Sequence, residues 1–219
     1  MPATNPTKHT YDELTTAYDF FNARLFEGKL PRCLITMQRK NKSYGYFAGE
    51  RFGTRDGEEI TDEIALNPSH FRERTTEQSL STLAHEMVHL WQHHFGEKKS
   101  RAGYHNKEWA DKMEAIGLEP SDTSLPGGKR TGQRVSHYIR GGGPFHRACT
   151  ELVKQGFIMP YVEMWGDDEA RKTRKKKAAS KTKYTCPGRG LNAWAKPGVV
   201  LLCGECDQEL AAEESEGED

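Results

Sequence analysis

Residues 85 to 89 read His-Glu-Met-Val-His, inside a stretch whose apolar residues recur at helical spacing. Leu80, Leu83, Ala84, Met87, Val88, Leu90 and Trp91 clothe the helix that this spacing predicts, with Thr75 or Thr76 as N-cap and Gly96 as stop. A helix apolar on so many sides has to be packed on those sides, so the rest of the fold is committed to burying it.

On that helix His85 and His89 stand about 40° apart around the axis and one turn apart along it, so both imidazoles can meet one ion. Glu86 is rotated by about 100° from His85 and can approach water at an open coordination position instead of binding the metal, as a general base does. A catalytic zinc takes three protein ligands, so a third must come from elsewhere. His93 lies about 12 Å along the helix from His85, and His94 points to roughly the opposite side, which removes both. His105 is the better candidate: it follows the Gly96 stop and immediately precedes Asn106, a good N-cap for the next helix. Glu108 and Glu114 remain alternatives.

Around this helix the pattern predicts an amphipathic helix over residues 10 to 27, carrying Leu14, Ala17, Tyr18, Phe21 and Leu25 on one stripe. Three β-rich runs follow at 32 to 38, 43 to 52 and 58 to 67, read as a small antiparallel sheet. Shorter helices are expected from Asn106 to Gly117 and from Pro144 to Gln155. The fold class is therefore α+β.

HEMVHLWQ followed by GYHNKEW resembles the SprT-like family of zinc metallopeptidases, related to the DNA-dependent protease Spartan. The resemblance implies a compact zincin with helices on a small sheet and an edge strand beside the cleft. It implies His85, His89 and His105 as ligands of a catalytic zinc, and Glu86 as the catalytic glutamate. The implied reaction is hydrolysis of peptide bonds in proteins on or crosslinked to DNA, by water activated at the zinc. The oxyanion donor is not identified; Tyr104, Tyr138 and His137 lie within reach in sequence, but each reads first as a packing or loop residue. A different class of answer is a non-catalytic DNA-binding or transcription-associated zinc protein, against which Glu86 stands.

The C-terminal KYTCPGRGLNAWAKPGVVLLCGEC resembles the zinc ribbon that ends many family members. A ribbon presents two CxxC turns, yet only Cys203 and Cys206 complete one; the first has Cys186 with Arg189 where a cysteine is expected, and a guanidinium cannot bind zinc. A second, structural zinc would rest on Cys186, Cys203 and Cys206, with water or an acid such as Asp207 as the fourth donor. Trp194 is expected to be the packing residue of this module.

A formal net charge of zero conceals segregation. Residues Arg171 to Lys183 hold eight Lys or Arg and no acid, whereas residues 205 to 219 hold eight Asp or Glu and no base. The arm suits non-specific DNA contact, and the tail can fold back on it. The expected organisation is a metallopeptidase domain (1–165), a basic linker (166–183), a zinc-ribbon-like module (184–210) and an acidic tail (211–219). With no long apolar run, no targeting pattern and five scattered cysteines, a cytoplasmic protein without membrane contact is expected, with Cys33 and Cys149 as buried thiols.

Overall fold

The computed structural model describes residues 5–98, 100–101, 103–164 and 181–213. They fall into two units, divided between Met164 and Trp165. Among the described residues no helix is long and apolar enough to cross a membrane.

The first unit is a mixture of helices and small sheets. It starts with α1 (Pro6–Leu25), which begins earlier than the apolar stripe alone predicts. The reason is local: the Asn5 side chain accepts from the Lys8 amide at 3.1 Å, and Pro6 occupies the first turn, where no amide partner is required. Leu14, Ala17, Tyr18 and Phe21 are buried.

Strands β1 (Leu34–Met37), β2 (Gly45–Gly53) and β3 (Ile60–Leu66) form one sheet in the order β1-β3-β2. The expected antiparallel pairing holds for β2 and β3 but not for β1, which runs parallel to β3. The run from Asp62 to Leu66 is buried throughout, and a strand covered on both faces belongs at the centre. It is therefore inserted between the other two, leaving β2 at an edge.

Helix α2 (Thr76–Phe95) opens with a capping box: Thr75 Oγ1 accepts from the Gln78 amide at 3.1 Å, and Gln78 Oε1 accepts from the Thr75 amide at 3.0 Å. Leu80, Leu83, Ala84, Met87, Val88 and Leu90 are almost wholly buried, as a helix apolar on most sides requires. After it come β4 (Tyr104–His105), α3 (Lys107–Ile116), β5 (Leu118–Ser121), β6 (Gly132–Gln133), β7 (Ser136–Ile139) and α4 (Pro144–Lys154). Strand β4 pairs with β6 and β5 with β7, both antiparallel. Gly117 ends α3 at φ 87°, a left-handed conformation that glycine adopts without strain. Trp109, Met113 and Phe145 join α2 and α1 in one core, which also buries Cys149; Cys33 is only half-buried.

The second unit has a three-stranded antiparallel sheet of β8 (Thr182–Thr185), β9 (Asn192–Ala195) and β10 (Ala211–Ala212), with β8 central. Its small core is Tyr184, Cys186, Cys203 and Leu210. Trp194 is not the packing residue expected: it stands 61% exposed. The period of two along β9 turns Ala193 and Ala195 toward the core and Trp194 away from it. Of the basic arm, residues 171–180 lie outside the described residues, as do 214–219 of the acidic tail. Where arm and tail are described they meet: Lys183 pairs with Glu213, whose amide also donates to the Lys183 carbonyl at 2.8 Å.

Candidate metal centre

His85 and His89 project from consecutive turns of α2, and β4 delivers His105 beside them. One nitrogen from each ring lies within 4.8 Å of one nitrogen of the others. The ring centroids are 5.2 Å (His85 to His89), 5.6 Å (His85 to His105) and 5.0 Å (His89 to His105) apart.

Trp109, fully buried on the first turns of α3, closes the group from the core side. Its ring lies 4.2 Å from His105, 5.0 Å from His85 and 5.4 Å from His89, nearly parallel to the last. With this apolar wall behind them the histidines are held neutral. Burial, followed by the neighbouring imidazoles, lowers His85 well below its ordinary value, and lowers His89 to about 3. Burial also lowers His105, opposed by a hydrogen bond to the Gly132 backbone.

Three neutral imidazoles converging on one point fit a divalent transition ion such as zinc, whereas magnesium and calcium prefer oxygen. The donor set therefore suits the expected metal.

Glu86 stands apart from the three. Its carboxylate accepts from the Phe47 backbone amide and feels Lys40, yet burial dominates and pushes it up to about 8. The approach of β2 to α2 that makes this possible depends on Gly45. A Cβ there would lie 2.8 Å from the Ala65 carbonyl, 2.9 Å from Thr82 Cγ2 and 3.3 Å from Glu86 Oε1. A cleft of about 850 Å³ opens over Glu86 and the three histidines, bordered by the edge strand β2 on one side and by Arg134 to His137 on another.

His93 and His94 lie outside this group and instead flank buried Asp62, with Nε2 atoms 3.9 and 2.7 Å from its carboxylate. Glu108 is not a ligand either: its carboxylate accepts from the amides of Glu97 at 2.8 Å and Lys98 at 3.2 Å. Glu114 pairs with Arg130 at 2.8 Å. Of the three residues in reach as oxyanion donors, only His137 lines the cleft among the described residues. Its Nδ1 lies 3.1 Å from His85 Nδ1, and its Nε2 lies 2.9 Å from Ser81 Oγ.

Sequence reasoning missed the roles of Trp109 and Gly45. Trp109 carried a signal, since it sits in the first turn of the helix that Asn106 caps, directly after the segment that delivers His105. Gly45 carried none, because a close approach between strand and helix is a tertiary fact.

In the second unit the sulfurs of Cys186, Cys203 and Cys206 lie within 4.8 Å of one another, Cys186 and Cys206 at 3.4 Å. The amides of Glu205 and Cys206 donate to Cys203 and lower it, favouring thiolate. Asp207 is exposed and stands outside the cluster, so the acid considered as fourth donor is not in place.

The SprT-like family model matches residues 14–128, which include the three histidines and Glu86. An uncharacterized protein in the mucB 3' region of Salmonella typhimurium is 54% identical over 59 residues, 27% of this chain and 80% of that protein. No solved structure matches. The chain belongs to the SprT-like family and carries its metallopeptidase-like domain.

Proposed function

We propose that the protein is a zinc-dependent endopeptidase. The observation that carries this reading is the convergence of three neutral imidazoles beside a buried carboxylate that is not one of them. His85, His89 and His105 would hold the ion. When bound, zinc acts as a Lewis acid, making water a nucleophile near neutral pH and polarising the peptide carbonyl.

The chain's own residues do the rest. Substrate in extended form adds along the edge strand β2, which borders the cleft. Glu86 takes the proton of the attacking water on a carboxylate oxygen and returns it to the leaving amine nitrogen. Lys40 and the Phe47 amide favour, against burial, the ionised form that this step needs, and the charge of a bound zinc would favour it further. Trp109 keeps water from reaching the histidines from behind.

The substrates we propose are proteins on or crosslinked to DNA. The basic sequence Arg171 to Lys183 supports this, because it can neutralise phosphates without reading bases. It joins the peptidase domain to the C-terminal module, in which Cys186, Cys203 and Cys206 would hold a second, structural zinc. A cytoplasmic site of action follows from the same reading. A purely structural zinc protein is disfavoured, because it would have no use for a buried carboxylate at the open side of the site.

The test is cleavage of an unfolded protein by the purified, zinc-loaded full chain, with single-stranded DNA, duplex DNA or neither. The wild type is expected to cut and Glu86→Gln to retain zinc without cutting. A zinc-loaded wild type that cuts nothing, or a Glu86→Gln variant as active as the wild type, overturns the proposal. Equal rates with and without DNA overturn the DNA part alone.

A further inference from the structure

We infer that His137 is a positioning residue that sets which nitrogen of His85 carries the proton, and thereby turns the bare nitrogen of His85 toward the metal position. This rests on the proposed metal-binding role of His85. His137 lies beyond the segment that the family model matches.

The argument runs from the helix backbone inward. Ser81 Oγ lies 2.8 Å from the Gln78 carbonyl, which can only accept, so the hydroxyl proton is committed there. Ser81 Oγ therefore offers a lone pair to His137 Nε2 at 2.9 Å, and that nitrogen must carry a hydrogen. A neutral His137 then has a bare Nδ1. Its contact with His85 Nδ1 at 3.1 Å holds one proton, which must sit on His85. A neutral His85 protonated at Nδ1 has a bare Nε2, the nitrogen left for the group it forms with His89 and His105.

Geometry keeps the relay in register. Ser81 and His85 are four residues apart on α2 and so share a face, and His137 spans them from β7. Strand β7 is itself fixed by pairing with β5, where His137 stands opposite Pro120. An imidazole thus does for His85 what a carboxylate or carbonyl does behind many metal-bound histidines, orienting the ring and selecting its tautomer. Because the partner is neutral, it adds no negative charge beside the ion.

The test uses the full chain and three variants. His85→Ala identifies the zinc-binding event that belongs to this site, by competition with a chelator. His137→Phe keeps the ring and removes both nitrogens. His137→Asn keeps an acceptor near the place of Nδ1. We expect His137→Phe to weaken that event about 10- to 100-fold and His137→Asn to recover most of the loss.

Nitrogen chemical shifts of the zinc-free wild type should show His85 protonated at Nδ1 and His137 at Nε2. Affinity of His137→Phe within twofold of the wild type, His137→Asn as weak as His137→Phe, or the opposite tautomers would each overturn the inference. The chemical shifts decide it even where a variant fails to fold. Failure of His85→Ala to remove any zinc would instead overturn the proposed function.

Discussion

Gln92 donates from Nε2 to Oδ1 of Asn106 at 2.8 Å, joining the last turn of α2 to the N-cap of α3. The same Asn106 oxygen accepts from the Trp109 amide at 3.0 Å, and Asn106 Nδ2 donates to the Lys98 carbonyl at 2.9 Å. The loop between the helices is thereby tied to α2 at the residue that follows His105. Gln92→Leu keeps the bulk of a side chain that is 4% exposed but removes the donor to the half-buried Asn106 oxygen. We expect a loss of about 1 to 3 kcal/mol in urea denaturation of the zinc-free protein. Zinc affinity should also fall, because His105 is no longer held. An unchanged denaturation midpoint would show that the clasp is dispensable.

Gly45 offers a second handle, on the base rather than on the metal. An alanine methyl at this position collides with the Ala65 carbonyl, Thr82 and the Glu86 carboxylate. Since neither strand backbone nor helix yields cheaply, Gly45→Ala should destabilise by about 1 to 3 kcal/mol. Cleavage should drop further than zinc content, as Glu86 is displaced while the histidines are not. Steady-state kinetics beside metal analysis checks this; equal loss of both would place the damage in the whole fold.

The helices were legible in the sequence because their signals are local. The Thr75 cap, the Gly96 stop, the Asn106 cap and Gly117 are each read by one turn of backbone, and α2 and α3 begin and end where those residues put them. His105 was legible for the same reason, being pinned to a helix start. The parallel partner of β3, the His85 to His137 contact and the closeness of Gly45 to Glu86 were not. Each joins residues distant in sequence, and no periodicity records which strand slides between which. Trp194 shows the limit from the other side: an aromatic in a small module reads as core, but the alternation along β9 sends it outward.

Metal-free stability should peak near pH 6.5. His89 and His137 are lowered from 6.5 to about 3 in the folded protein, and His85 moves the same way. Below pH 6.5 the unfolded chain takes up protons that the folded chain refuses until about pH 3, so stability present above 6.5 is lost across that window. The slope is about 1.4 kcal/mol per pH unit for each such proton. Glu86 has the opposite sign. Raised from 4.5 to about 8, it contributes stability fully present below pH 4.5 and lost as pH rises through 8. Urea titrations across pH should show His137→Phe flattening the acid limb and Glu86→Gln flattening the alkaline one. Unaltered limbs would mean that these groups are not the ones that titrate.

The C-terminal module makes the last prediction, because its two cysteine turns are alike in backbone and unlike in ligands. The Cys186 amide donates to the Leu191 carbonyl at 2.8 Å and the Gly190 amide to the Cys186 carbonyl at 2.8 Å. The Cys203 amide donates to the Gln208 carbonyl at 2.9 Å and the Asp207 amide to the Cys203 carbonyl at 2.8 Å, at the same offsets. Gly190 and Asp207 both take left-handed conformations, at φ 68° and 56°. Arg189 therefore occupies in the first turn the place that Cys206 holds in the second, and its side chain, 58% exposed, reaches out to Glu205 at 3.6 Å. With the turn already formed, Arg189→Cys should supply a fourth thiolate with little rearrangement of the backbone. Zinc affinity of the module should rise tenfold or more, about 1.4 kcal/mol. Cobalt substitution would report it through stronger thiolate absorption, and Cys203→Ser should abolish the signal in either background. Affinity that does not change would mean that the first turn, despite its backbone, does not aim its fourth residue at the other three.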